Sequence, residues 1–477
     1  PLPLYHIADW LARTVLVHVL GVPAAKFNDD RLGRTLDGIQ PHSQEIWQDV
    51  VQRALVQAEV DLNLIFYDLT AYILHGDYKD SQYATFGFAH NTPMNKRKFK
   101  KGLNVAADGN IPSVYAPWSG KTADLATVQE NMEQLRRFLA HRGWSIEEVM
   151  IVGDRANLND ELALAYEDRQ TRYLAGLKTQ KKVHRELLLA VPEKQFYAHP
   201  LTDEGGPEGY WGIPCLVPFE HDDRRVSHRG LVVLSGPMRT ALRRARAARL
   251  RELRQCLREV EAKIGRPHYR TVKAVQKRAE TQLKQSSVGK FMQARAYVDE
   301  NGQVRLRGWE NRYSLWQAMQ QDGRYLLVTN DWNLSPHEML SLYRQKDGVE
   351  KRFQVSKQDL KVSPIYLHQD KRIEAMLLIN MLALLAYSLL ERQARQNGLQ
   401  MTTRRIIDKL QSLDVVETFC WDGSHLIRLV PINEEQVAIL QVLAQVLAEL
   451  RLPRWPHPLL PTGEDRLFAL PPPGRRR

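Results

Sequence analysis

Three carboxylates stand in contexts where they could do chemistry together: Asp68 in DLNLIFYDLT, Asp154 in EEVMIVGDRA and Glu350 in SLYRQKDGVEKRFQVSK. The first two close short, apolar, β-rich runs, and the third sits among cations. Carboxylates fixed at strand ends and on a neighbouring helix can hold two divalent ions about 4 Å apart, one activating an attacking oxygen and the other stabilising a leaving oxygen. Hard oxygen ligands with open water positions suit Mg²⁺, with Mn²⁺ as a substitute. Either aspartate alone would more often cap the element that follows it. Asp77, Asp80, Asp108 and Asp124 are nearby acids whose polar, turn-like contexts predict solvated side chains.

The helix expected around Glu350 gives that residue a particular address. At 100° per residue, Tyr343, Lys346, Glu350 and Lys357 fall within about 60° of arc, beside an apolar stripe of Leu342, Val349, Phe353 and Leu360. A polar stripe that borders the core can face a cleft. The plainer alternative is an amphipathic surface helix with Asp347 and Lys351 paired four residues apart. Ser335, Pro336 and Glu338 supply an N-cap, a first-turn proline and a capping-box acid, so one helix is predicted from there through Lys357. Gly348 weakens it by about 1 kcal/mol relative to alanine, which tertiary packing must offset.

Stepping along the chain, residues 1–57 read as helical, with NDDRLGRTLDGI as a polar turn and helix start. The strand of Asp61 to Thr70 follows, with Asp68 at its end. KKGLNVAAD and IPSVYAPW form a hairpin through Asp108, Gly109 and Asn110. A helix over Thr122 to Arg142, the strand ending at Asp154, a helix in NLNDELALAYEDR and a strand in TRYLAGLK complete an order of strand, hairpin, helix, strand, helix, strand. That is the order of a ribonuclease-H-like sheet. YWGIPCLVPFE and RGLVVLSG then suggest β structure, followed by a basic helical pair, a hairpin turning near Asn301 and Gly302, and a strand in RYLLVTND. Helices near Ala375 to Leu390, Arg404 to Leu413 and Glu434 to Leu450 precede a proline-rich end.

The fold class predicted is α/β: a ribonuclease-H-like mixed sheet flanked by helices, interrupted by a large α+β insertion, with helical N-terminal and C-terminal parts. Expected boundaries are a helical region at 1–57, a catalytic core at 58–187 and 331–395, a basic insertion at 188–330, a helical region at 396–452 and a basic tail at 453–477. The 477 residues are too many for one simple core.

The 67 Lys and Arg exceed the 55 Asp and Glu by 12, which favours a polyanionic partner. From Met238 to Lys290 there are sixteen basic and four acidic residues, 16 − 4 = +12, so the excess is concentrated in the insertion. Cys215, Cys256 and Cys420 show no zinc or redox spacing, which fits a reducing cytoplasm. The apolar run of Ala375 to Leu390 contains Asn380 and Ser388 and falls short of a bilayer span, so a buried helix and no membrane partner are expected. The start, PLPLYHIADWL, lacks an initiator methionine and a signal-like core, which suggests a chain beginning inside a longer protein. Trp211, Trp309 and Trp332 could stack on a displaced base, although core or hairpin packing is the ordinary role.

The spacing Tyr343, Lys346, Glu350, Lys357 resembles the Y-R-E-K signature of insertion-sequence DDE transposases of the IS-four type. YDLT around Asp68, FGFAHNTPMNKRKFKKGLNVAADGNIPSVYAPWSGKTAD, IVGDRANL around Asp154, TNDWNLSPHEML and PIYLHQDKRIEAMLLINMLALLAYSLLE are similar to further blocks of the branch with a long insertion before the glutamate. The resemblance covers roughly residues 25 to 395. It implies that Asp68, Asp154 and Glu350 are the metal-binding catalytic triad of an Mg²⁺-dependent enzyme. Tyr343, Arg344, Lys346 and Lys357 would then contact or position double-stranded DNA at the element ends. It also implies at least a dimer when two ends are paired, and a bacterial cytoplasm. Lys346 stands where the signature has arginine, a point charge in place of a bidentate fork. Lys121 and Met376 stand where relatives commonly show asparagine and histidine. A nuclease of the same fold, or a DNA-binding relic without chemistry, are the competing expectations.

Overall fold

The computed structural model describes the chain except residues 1–3, 15, 90–91, 156, 361, 363–364, 366, 414, 420, 422–424, 430–432 and 450–477. The predicted tail and Cys420 lie outside the described residues. Two compact units form, Pro1–Val152 with Gln345–Arg477, and Gly153–Arg344.

The first unit opens with helices α1 (Ile7–Leu11), α2 (Leu16–Leu20), α3 (Asp29–Ile39) and α4 (Ser43–Gln57). Asn28 caps α3 by accepting from the Arg31 N–H at 2.9 Å, as its sequence signal predicts. Strand β1 (Leu64–Ile73), the hairpin β2 (Lys98–Ala106) and β3 (Ile111–Ser119), helix α5 (Asp124–Ala140) and strand β4 (Met150–Gly153) follow. The strand order is β3-β2-β1-β4, with β1, β2 and β3 antiparallel. The β2–β3 turn runs through Asp108, Gly109 and Asn110, the last two at positive φ. Ile65, Phe66 and Tyr67 are all buried, the mark of a strand covered on both faces.

The second unit holds α6 (Asp160–Asp168), β5 (Arg172–Leu177), α7 (Lys182–Ala190), α8 (Glu193–Phe196) and the long hairpin β6 (Tyr210–His221) and β7 (Arg224–Ser235). Next come α9 (Gly236–Ala262), α10 (Val272–Gln285), β8 (Met292–Val298), β9 (Val304–Glu310), α11 (Arg312–Gln321), β10 (Arg324–Thr329) and α12 (Pro336–Gln345). Its main strands run in the order β5-β10-β7-β6, all antiparallel. Strands β8 and β9 form a separate ribbon. Trp211 is buried there and meets Tyr197 edge to face at 5.1 Å. Cys215 and Cys256 are unpaired thiols, and burial pushes Cys215 up to about 11.

The first unit resumes with α13 (Asp347–Gln354), a π-helical turn over Val355–Asp359, α14 (Asp370–Gln396), α15 (Thr403–Leu410), the hairpin β11 (Val415–Phe419) and β12 (His425–Leu429), and α16 (Glu434–Glu449). Sequence periodicity misses the last hairpin. Among the described residues, α14 is the one helix long and apolar enough to cross a membrane, and 56% of its most apolar window is buried inside the fold. It packs on α3, α4 and β3.

Three expectations are corrected. Asp68 does not end its strand: β1 stays paired from Ile65↔Ala106 to Ile73↔Lys98, with Asp68 opposite Leu103. The helix predicted through Glu350 is not continuous, since α12 stops at Gln345, α13 begins at Asp347 and the π-turn interrupts it again before Lys357. Asp108 and Asp124 are structural: Asp108 accepts both Arg392 bonds, at 2.8 and 2.7 Å, and Asp124 accepts from Lys100 at 2.8 Å.

Candidate active site

Within the first unit, the period of a strand places Asp68, Thr70 and Tyr72 on one face of β1. Lys357 covers that face. Its ammonium donates to Thr70 Oγ1 at 2.5 Å and lies 5.0 Å from the centre of the Tyr72 ring. Burial lowers the Lys357 pKa, and the Asp68 carboxylate works against that shift. Asp68 Oδ1 accepts from the Leu69 N–H at 2.8 Å.

The π-turn explains how Lys357 reaches β1. A π-turn adds a residue to the helical repeat and recurs at functional sites. Here it carries Ser356 into the core, where its hydroxyl donates to Asn380 Oδ1 at 2.8 Å and meets the Tyr72 hydroxyl at 2.7 Å. Behind it, fully buried Lys101 donates to Ser356 Oγ at 3.2 Å and Asn380 Oδ1 at 3.1 Å. Burial, with the nearby Lys357 charge, brings Lys101 down to about 7. Lys101, Ser356 and Asn380 thus form the polar backing of the Asp68 face, a group that sequence reasoning missed. The cluster of Lys98, Lys100 and Lys101 within one β-forming run was the available signal.

Glu350 stands on α13, which contacts both β1 and β2. The docking device is visible at Gly348: a Cβ there would come within 1.9 Å of Asn110 Oδ1 in the β2–β3 turn. Arg352, itself buried, donates to the Asn110 and Gly109 carbonyls, each at 2.9 Å, and pairs with Glu391 at 3.5 Å. The helix-weakening glycine is therefore the residue that lets α13 approach the turn. Glu350 remains 57% exposed and accepts from Lys346 at 3.2 Å, while the expected Asp347–Lys351 pair also forms, at 2.9 Å.

In the second unit, Asp154 directly follows β4, and its Oδ1 accepts from the Tyr343 hydroxyl at 3.3 Å. Gly176 makes room, because a Cβ there would meet Tyr343 Oη at 2.8 Å and Arg155 Cγ at 2.6 Å. Arg155 lies over the Tyr325 ring at 5.3 Å, and exposed Arg344 over the Tyr210 ring at 4.8 Å. Exposed Trp332 and Trp309 and the first-turn His337 are surface residues of this unit.

The structure therefore brings the elements of Asp68, Glu350, Lys346 and Lys357 together in one unit, and pairs Asp154 with Tyr343 in the other. Carboxylate oxygens on Asp68 and on exposed Glu350 are the right donor type for a hard divalent cation. Among the described residues, no group of three or more His, Cys, Asp or Glu side chains is gathered as a metal cage.

No protein-family profile matches this sequence, and no curated protein matches it. Among solved structures the chain is similar to a piggyBac transposase synaptic complex with hairpin DNA, at 10% identity and a TM-score of 0.34 over 73% of this chain and 51% of that one. It is also similar to a Mos1 transposase paired-end complex with left transposon end, at 13% identity and a TM-score of 0.17 over 39% of this chain and 59% of that one. The chain thus spans about half to three-fifths of the chains it matches. Likenesses this weak establish no shared fold.

Proposed function

We propose that this chain is a DNA transposase that cleaves phosphodiesters at element ends and joins the freed strand to target DNA. The observation that carries this reading is the docking of the Glu350 helix onto the Asp68 strand, with Lys357 laid across the Asp68, Thr70 and Tyr72 face. The strand order β3-β2-β1-β4, with its antiparallel hairpin, supports a ribonuclease-H-like core, and the quoted sequence blocks support the insertion-sequence assignment.

In this reading Asp68, Asp154 and Glu350 are the carboxylates that would hold Mg²⁺, and the ion would supply Lewis-acid activation of the attacking oxygen and charge stabilisation of the leaving one. The residues themselves do the rest. Lys357, pinned by Thr70 and backed by Ser356 and Lys101, presents a fixed positive charge beside Asp68. Lys346 holds the Glu350 side chain at the edge of its helix and offers its charge to a phosphate when DNA arrives. Tyr343 orients the Asp154 carboxylate by donating to one oxygen. Double-stranded DNA is the partner, with two copies of the chain pairing two ends.

Calorimetric titration with Mn²⁺ tests the metal assignment. Asp68→Asn is expected to abolish a saturable site that the unaltered chain shows. Equal binding by both proteins would remove Asp68 from the ligand set.

A further inference from the structure

Helices α9 and α10 and the β8–β9 ribbon share one core inside the second unit, built from Leu250, Leu253 and Leu257 against Val275, Met292 and Leu306. Because strand side chains alternate, burying Met292, Ala296 and Leu306 sends Gln293, Arg295, Tyr297, Arg305, Arg307 and Trp309 to the other face. All six are exposed. The register sets Arg295 opposite Arg307, Tyr297 opposite Arg305 and Gln293 opposite Trp309.

That face is an expensive one to leave to solvent alone. Like charges directly opposite across an antiparallel pair are destabilising. Asp299 answers Arg305 at 2.9 Å, and Glu310 is engaged by Arg254, but no carboxylate among the described residues pairs with Arg295 or Arg307. Tyr297 and Trp309 stay 41% and 40% exposed on a ribbon that already has a core to join. Arg295, Tyr297, Arg307 and Trp309 line a trough of about 590 Å³. A second trough of about 580 Å³ continues past Arg307 and Trp309 to Asn311 and Arg312.

Uncompensated guanidinium groups interleaved with open aromatic rings match a polyanion that carries flat faces. Bases stack on exposed aromatic side chains when they are unpaired, whereas a duplex keeps its base faces covered. We infer that the outward face of the β8–β9 ribbon is a binding surface for a single strand of DNA, with bases on Tyr297 and Trp309 and phosphates on Arg295 and Arg307. None of Asp68, Asp154 and Glu350 lines either trough. Only the choice of DNA over RNA rests on the transposase reading.

The test is fluorescence anisotropy of the full chain with labelled oligo-dT, a duplex of equal length and oligo-U, all without divalent cation so that cleavage chemistry does not enter. Trp309→Ala and Tyr297→Ala are each expected to weaken oligo-dT binding roughly five- to a hundred-fold, with Trp309→Phe restoring most of it and duplex binding unchanged. Arg295→Ala with Arg307→Ala should lower the salt slope by about 0.7 per lost phosphate contact. All four positions are exposed, so unchanged thermal melting is the folding control. Oligo-dT binding unaffected by these changes, parallel loss of duplex binding, or binding of oligo-U tighter than that of oligo-dT would each overturn the inference. None of these outcomes bears on whether Glu350 supports cleavage.

Discussion

Replacing Arg352 tests how the Glu350 helix is held. The guanidinium is 3% exposed, donates to two turn carbonyls at 2.9 Å and faces Glu391 at 3.5 Å. Arg352→Met would strand both carbonyls and remove one partner of a buried ion pair, a class of change that costs about 3–5 kcal/mol. Glu391 keeps Arg395 at 2.6 Å, which places the expected loss at the lower end, about 3 kcal/mol. Because a two-unit chain need not unfold in one step, the appropriate assay is hydrogen exchange on the full chain. Amides of α13 and of the β2–β3 turn should exchange roughly a hundred-fold faster, while those of β6 and β7 stay unchanged. An acceleration below about three-fold would refute the claim that Arg352 clamps α13 to the turn.

Three further outcomes follow from the same geometry. Gly348→Ala adds about 1 kcal/mol of helix propensity, yet the clash with Asn110 should lower the urea midpoint, and the same change in an Asn110→Gly background should raise it. A raised midpoint in the unaltered background would remove the close-approach argument. Lys101 titrates near 7 folded and near 10.4 unfolded, so between those values the unfolded chain binds more protons and stability rises with pH. Lys101→Met should lack that rise, its advantage over the unaltered chain shrinking from pH 7 to 10; parallel curves would contradict it. Arg372, with Lys371, holds Asp37 down to about 2, so this contribution is present above about pH 4 and lost as pH falls toward 2. Over that window protease nicking of α3 should increase, and Asp37→Asn, nicked readily throughout, should show no such change.

Much of the element order was legible because its signals are local. The Ser335 and Glu338 capping box forms as read, with bonds of 3.2 and 2.8 Å, and the turn residues Gly109, Asn110 and Gly302 mark real hairpins. One miss was local, since β1 runs on past Thr70 through Tyr72 and Ile73, whose β propensity is a signal that the reading stopped short of. What else stayed hidden depends on partners distant in sequence. The π-turn owes its place to Asn380 and Thr70, and the structural role of Asp108 to Arg392, 284 residues away. Of the candidate site, the residue types were readable; the partners of Lys101 and Arg352 were not, since each is a buried basic side chain whose partners only the fold supplies.

The most direct measurement is cleavage and joining of labelled DNA carrying the flanking element ends, with and without Mg²⁺, for the unaltered chain and for Glu350→Gln. The account predicts Mg²⁺-dependent cutting and strand transfer by the first and neither by the second, with DNA binding retained in both. Hydrolysis without joining would indicate a nuclease, and binding without cutting by either protein would contradict catalysis at Asp68, Asp154 and Glu350 outright.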